Sequence, residues 1–168
     1  MKCSVCGDDH PLEQLELTFK RPDAIAALDA EERANRCKES DDLAHIDQAR
    51  WFVRGTIPLP VIGREREYRI GAWAEVDAGT FKTILDLWDD ESQCEQGPLP
   101  GILANEVPGH PDSCGEPILL RLVGPETRPD LLLEDAVVSL GAEQAGSISE
   151  EQAIRYSSYI YHGREAQE

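Results

Sequence analysis

The stretch Trp51-Phe52-Val53-Arg54-Gly55-Thr56-Ile57-Pro58-Leu59-Pro60-Val61 decides the fold. Trp51, Val53, Ile57, Leu59 and Val61 alternate with more polar positions, which places them on one face of an extended chain. Gly63 marks a turn, and Tyr68, Ile70, Ala72, Ala74 and Val76 then resume the two-residue period. The two runs predict an antiparallel hairpin with one buried face.

Working outward, Phe81, Ile84, Leu85 and Trp88 recur at i, i+3, i+4 and i+7, the core face of an amphipathic helix. The acids Asp86, Asp89, Asp90 and Glu91 fall on or beyond its wet side. Residues 93–116 are rich in proline and glycine and predict a long irregular connection. Strands follow at 118–123 and 130–133, separated by a Gly-Pro turn. Ser149 and Gln152 form a capping box that opens a final helix running to about His162. Toward the N-terminus, 23–36 reads as one surface helix entered at Pro22, with Asp29/Arg33 and Glu32/Arg36 at i,i+4 spacing. Residues 11–20 predict a short strand. The expected class is α+β, an antiparallel sheet with flanking helices and an N-terminal segment like a zinc knuckle. One domain spans 1–168, with the knuckle and first helix in 1–46 and the sheet and later helices in 47–168.

The composition narrows the function. The chain has 168 residues, 33 acidic against 16 basic, for a formal charge of -17. Such a surface repels nucleic-acid phosphates and anionic membranes and attracts cations or basic proteins. Five cysteines, an odd number, without a leading apolar segment predict a reducing cytoplasm rather than a disulfide framework.

Chemistry concentrates at the opening Cys3-Ser4-Val5-Cys6-Gly7-Asp8-Asp9-His10. Two thiols three positions apart, followed by a glycine, form the tight knuckle that aims both sulfurs at one metal. Thiolate with imidazole suits zinc in a closed structural site. Cys3, Cys6 and His10 supply three ligands; Cys37 is the first choice for the fourth and His45 the second. A catalytic zinc would also need an open coordination position and a base nearby. The loop His110-Pro111-Asp112-Ser113-Cys114 holds the residue types of a nucleophile and base, but immediate neighbours in an extended loop usually point apart. Cys94 and Cys114 are expected to be isolated and buried. Arg54 and Arg69 stand opposite the apolar sets of the hairpin, where the two roles open to them are binding an anionic ligand and, the one expected, neutralising neighbouring carboxylates. Tyr156, Tyr159 and Tyr161 fit either an interface or partial burial with a wet hydroxyl. The chain carries no Gly-x-Ser-x-Gly elbow, Walker loop, dinucleotide fingerprint or His-Glu-x-x-His helix.

Taken in order, several short motifs form a wider pattern. They are Cys3-x-x-Cys6-Gly7-x-x-His10, Phe52-Val53-Arg54-Gly55, Pro60-Val61-Ile62-Gly63, Gly71-Ala72-Trp73, Phe81 and Leu87-Trp88. Pro108-Gly109-His110-Pro111-Asp112, Arg128-Pro129 before Leu131-Leu132-Leu133-Glu134, and Ala142-Glu143-Gln144 before Ile148 complete it. In these the chain resembles a bacterial family known as domain of unknown function 2199. It departs from that pattern at Ala44, where the pattern has cysteine, and at Val138-Ser139, where it has a histidine-proline pair. The resemblance implies no particular activity.

Three functions compete. The first is a binding protein, with no catalytic residue, whose acidic face (Asp86, Asp89, Asp90 and Glu91, with Glu150 and Glu151 as a second patch) docks a basic protein, for example an immunity-type protein neutralising a nuclease toxin. The second is a metal-assisted hydrolase working around His110, which requires His110 or Cys114 to approach the metal or a deep pocket. A purely structural zinc-binding domain is the third.

Overall fold

The computed structural model describes residues 15–137 and 139–162. Its centre is the expected hairpin. Strand β3 (Arg50–Leu59) pairs with β4 (Tyr68–Val76) in antiparallel register from Trp51 opposite Val76 to Leu59 opposite Tyr68. Val53, Ile57 and Leu59 meet Ala74, Ile70 and Tyr68 on one face, and all six are buried. Phe52, Arg54 and Thr56 meet Glu75, Trp73 and Gly71 on the other. The period-two pattern therefore reads true along the hairpin.

Two short strands precede it, β1 (Cys37–Glu39) and β2 (Leu43–Ile46), and three follow, β5 (Leu99–Leu103), β6 (Pro117–Arg121) and β7 (Asp130–Leu133). The sheet order is β1 to β7 in sequence, with a further pairing of β3 to β7. That pairing closes β3–β7 into a five-stranded barrel. In a meander of five strands the first and last run the same way, so the closing pair has to be parallel. It is, at Thr56 opposite Asp130, with the Thr56 N–H donating to the Pro129 carbonyl at 3.0 Å. The long β3 serves two neighbours on one edge, β2 along Arg50–Val53 and β7 at Thr56.

Gly55 permits this closure. A Cβ there would stand 2.7 Å from both the Leu131 side chain and the Pro129 carbonyl oxygen. Asp130 braces the seam: it is buried and takes Arg69 at 2.8 Å and Arg121 at 2.5 Å. Arg69 thus has the neutralising duty expected of it. Arg54 does not: it donates to the carbonyls of Asp41 and Phe19 and lies 5.5 Å from the Trp73 ring centroid.

The larger apolar cluster fills the barrel, with Ile57, Leu59, Ile70, Leu103, Leu120 and Leu131 fully buried. Each such side chain contributes about 1.5–3 kcal/mol through removal from water. A smaller cluster of Ile25, Ala44, Ile46, Phe52, Trp73 and Ala104 sits on the outer face, under α1 (Asp23–Ala26). Ala44 is thus buried packing.

Four local expectations need correction. The helix over 23–36 is two, α1 and α2 (Ala30–Arg36), because Asp29 is extended and accepts the Glu32 N–H at 2.8 Å, starting a new helix. The helix after the hairpin, α3 (Ala78–Asp86), is capped by Asp77 and buries Phe81 and Ile84, while Leu85 is 44 % exposed and Trp88 lies beyond its end. The connection 93–116 contains β5. The N-terminal strand reduces, among the described residues, to one parallel bridge of Thr18 to Gly71. Two helices complete the fold, α4 (Ser139–Ala145), which the sequence reading missed, and α5 (Glu150–His162), where the Ser149 hydroxyl caps the Gln152 N–H at 3.1 Å as expected. No helix among the described residues is long and apolar enough to cross a membrane.

Candidate functional site

Cys3, Cys6 and His10 lie outside the described residues. Their two candidate fourth ligands face opposite ways, since Cys37 pairs with Ile46 and Lys38 with His45 across β1–β2. Cys37 packs against the smaller cluster, and burial, then Glu39, push its thiol up. His45 accepts the Gln48 N–H at Nδ1 (3.2 Å) and its ring lies 5.2 Å from that of Trp51. Among the described residues, no three His, Cys, Asp or Glu side chains gather around one point.

The acidic segment stands at the end of α3, and all four of its expected members are exposed. Asp86 pairs with Lys82 at 2.8 Å, and Asp90 accepts the Ser92 hydroxyl and N–H, which hold its carboxyl below the usual range. Asp89 and Glu91 make no hydrogen bond or ion pair among the described residues. The second patch differs, because Glu150 is held by Arg64 and Glu151 lies 3.6 Å from Arg155.

Beside the acidic segment opens a cleft of about 530 Å³. Ile84 and Leu122, both buried, form its apolar base, and Trp88 is half-buried in its wall. The Gln93 amide donates to the carbonyls of Leu87 (3.0 Å) and Trp88 (3.2 Å), fixing the turn that carries the indole. The rim is formed by residues 124–129 with Asp42, which binds Arg128 at 2.7 Å. Glu126 stands exposed on that rim. Ile84, Trp88 and Gln93 flank the acidic segment in the chain, which borders the cleft without lining it.

The proline-rich loop is elsewhere and is tightly built. Asn105, fully buried, accepts the Trp73 N–H and donates to the Arg21 carbonyl and Asp23 carboxylate. The Ser113 hydroxyl accepts from the Val107 N–H and donates to the His110 carbonyl, both at 2.7 Å. His110 is buried, and its ring does not meet Cys114 or line the cleft; it meets Ser139, Glu143 and Tyr156. Cys94 and Cys114 are exposed thiols, contrary to expectation, because Cys94 stands in a short 3-10 helix (Gln93–Glu95) and Cys114 in a turn, both at the surface. Tyr156 is fully buried with its hydroxyl bonded, which rules out both readings offered for it. The sequence reading missed the partners of His110; the signal available was the i,i+4 spacing of Ser139 and Glu143.

Residues 2–148 match the model of a family described as an uncharacterised protein conserved in bacteria (DUF2199). No curated protein matches the chain, and no solved structure does.

Proposed function

The chain belongs to this uncharacterised bacterial family (DUF2199), and from that premise we propose that it is a binding protein whose acidic cleft docks a basic protein partner. The observation that carries this reading is the cleft around Trp88 with Glu126 on its rim, next in the chain to exposed Asp89 and Glu91, which make no hydrogen bond or ion pair among the described residues. Unpaired exposed carboxylates project their field into solvent, and a net charge of -17 reinforces it. A partner's arginine or lysine lies along the cleft: its aliphatic stem packs over Ile84 and Leu122, its cation meets the Trp88 ring, and the carboxylates stay wet at the rim. Attraction of opposite charge sets the association rate, and the seated side chain sets the residence time. A basic nuclease toxin held by its immunity protein is the concrete form of this pairing.

The test compares wild type with a D89K/E91K/E126K variant as baits in host extract at low salt, followed by kinetics on the purified catch. A basic protein held by wild type and lost by the variant, with association slowing about tenfold from low salt to about 0.15 M, is the expected outcome. Identical catches for both baits, or a salt-independent association rate, would remove the proposal.

A further inference from the structure

Ser139 and Glu143 stand one turn apart on α4, so their side chains share a helix face. Both reach the same imidazole. The Ser139 hydroxyl meets Nδ1 of His110, and Glu143 Oε2 lies 3.1 Å from Nε2. Tyr156 on α5 completes the group, with its hydroxyl 2.7 Å from Nε2 and 2.5 Å from Glu143 Oε2.

The directions of these bonds follow from the chemistry of the groups. A carboxylate only accepts, so the Tyr156 O–H points at Glu143, and a proton on His110 Nε2 is shared between the Tyr156 oxygen at 2.7 Å and Glu143 Oε2 at 3.1 Å. With its proton on Nε2, neutral imidazole has a lone pair at Nδ1, and that pair accepts from Ser139. Burial and the neighbouring carboxylate raise the Tyr156 phenol, which keeps it a donor. Burial works to raise the Glu143 carboxyl, but the bonds from His110 and Tyr156 prevail and hold it low, so it stays ionised. His110 and Tyr156 are buried, Glu143 is half-buried, and only Ser139 is exposed. Glu143 and Tyr156 both sit at Nε2, and Ser139 is the partner of Nδ1. The fourth member adds a hydroxyl at the solvent end, on the one ring nitrogen free to take its proton.

We propose that Ser139 is a nucleophile activated by His110 as general base, with Glu143 and Tyr156 as positioning residues, and that it accepts acyl groups from small carboxylic esters. The roles match the serine–histidine–acid arrangement, with the two ring nitrogens interchanged. Val137, 89 % exposed two residues before the serine, offers an apolar surface for a short acyl chain. In the first half-reaction the Ser139 oxygen bonds the carbonyl carbon while its proton passes to Nδ1. The ester C–O bond then breaks, and the departing alkoxide takes that proton. Water repeats the sequence: its oxygen bonds the acyl carbon, its proton goes to Nδ1, and Ser139 leaves with a proton returned, releasing the acid.

The experiment uses an organic fluorophosphonate and p-nitrophenyl butyrate on the full chain. Wild type is expected to gain one adduct, mapped to Ser139 by peptide mass, and to release p-nitrophenolate in a burst of about one per chain followed by steady turnover. S139A, which removes an exposed hydroxyl, should fold normally and lose both signals. E143Q and Tyr156→Phe should keep the burst amplitude, which counts competent molecules, while the acylation rate falls about a hundredfold. Absence of an adduct on folded wild type, or equal turnover by S139A, overturns the nucleophile. An E143Q rate equal to wild type, or a loss of amplitude without loss of rate, overturns the positioning roles.

Discussion

The cleft beside Trp88 and the group around His110 treat negative charge in opposite ways. Beside the cleft, Asp89 and Glu91 are exposed and make no ion pair among the described residues, so their field is long-range and costs little to maintain. Around His110, one half-buried carboxylate, Glu143, is satisfied by two donors and acts only on what it touches. One acidic composition therefore contains two kinds of acid, one suited to attracting a partner and one suited to holding a ring in place.

The contrast can be broken most severely at α4. A Cβ on Gly141 would overlap the Asp135 carbonyl oxygen, backbone that a rotamer change cannot move. Gly141→Ala should therefore lower stability by about 3 kcal/mol by denaturant titration. A variant as stable as wild type would mean that α4 is not held against 135. Tyr156→Phe comes next. It removes a buried hydroxyl from two partners and should cost about 1–3 kcal/mol, whereas loss within error would show that Glu143 finds a replacement donor. A third comparison varies pH. The Glu143 carboxyl lies below its ordinary 4.5 in the folded chain, so its contribution is full above that value and is lost as pH falls through the folded one. The denaturation midpoint of wild type should fall more steeply below about pH 4.5 than that of E143Q; parallel curves would deny the linkage. The smallest effect belongs to the cleft. D89N with E91Q should change stability by less than about 0.5 kcal/mol, because both side chains are solvated and make no ion pair among the described residues. A larger change would reveal a structural duty for these acids.

The hairpin was legible because alternation has only one meaning when both faces differ, and the cap of α5 because Ser149 and Gln152 satisfy a local rule. The helix over 23–36 was misread because i,i+4 pairs outweighed Asp29, whose better use is to start a helix. β5 was hidden among prolines and glycines. Without it the strand count is even, and the parallel closure could not be foreseen. Gly55 was visible as a glycine inside a strand, a hint of close backbone approach. The partners of His110 lie 29 to 46 residues away, so the i,i+4 spacing of Ser139 and Glu143 could mark a shared helix face but not the ring it meets. The expectation that zinc joins Cys3, Cys6, His10 and Cys37 rests on residues mostly outside those described; protein purified without added metal should carry about one zinc per chain, and a metal-free preparation would refute it.

The narrow junction of β3 with β7 also bears on the order of assembly. One register pair joins segments distant in the chain, while the hairpin beside it zips through nine pairs of near neighbours. Loop closure must precede any gain from the distant contact, so the cylinder is expected to form as an open ribbon and lock last. The Thr56 amide should then exchange with deuterium sooner than those of Ile57 or Ile70, making the lock the first part of the wall to open.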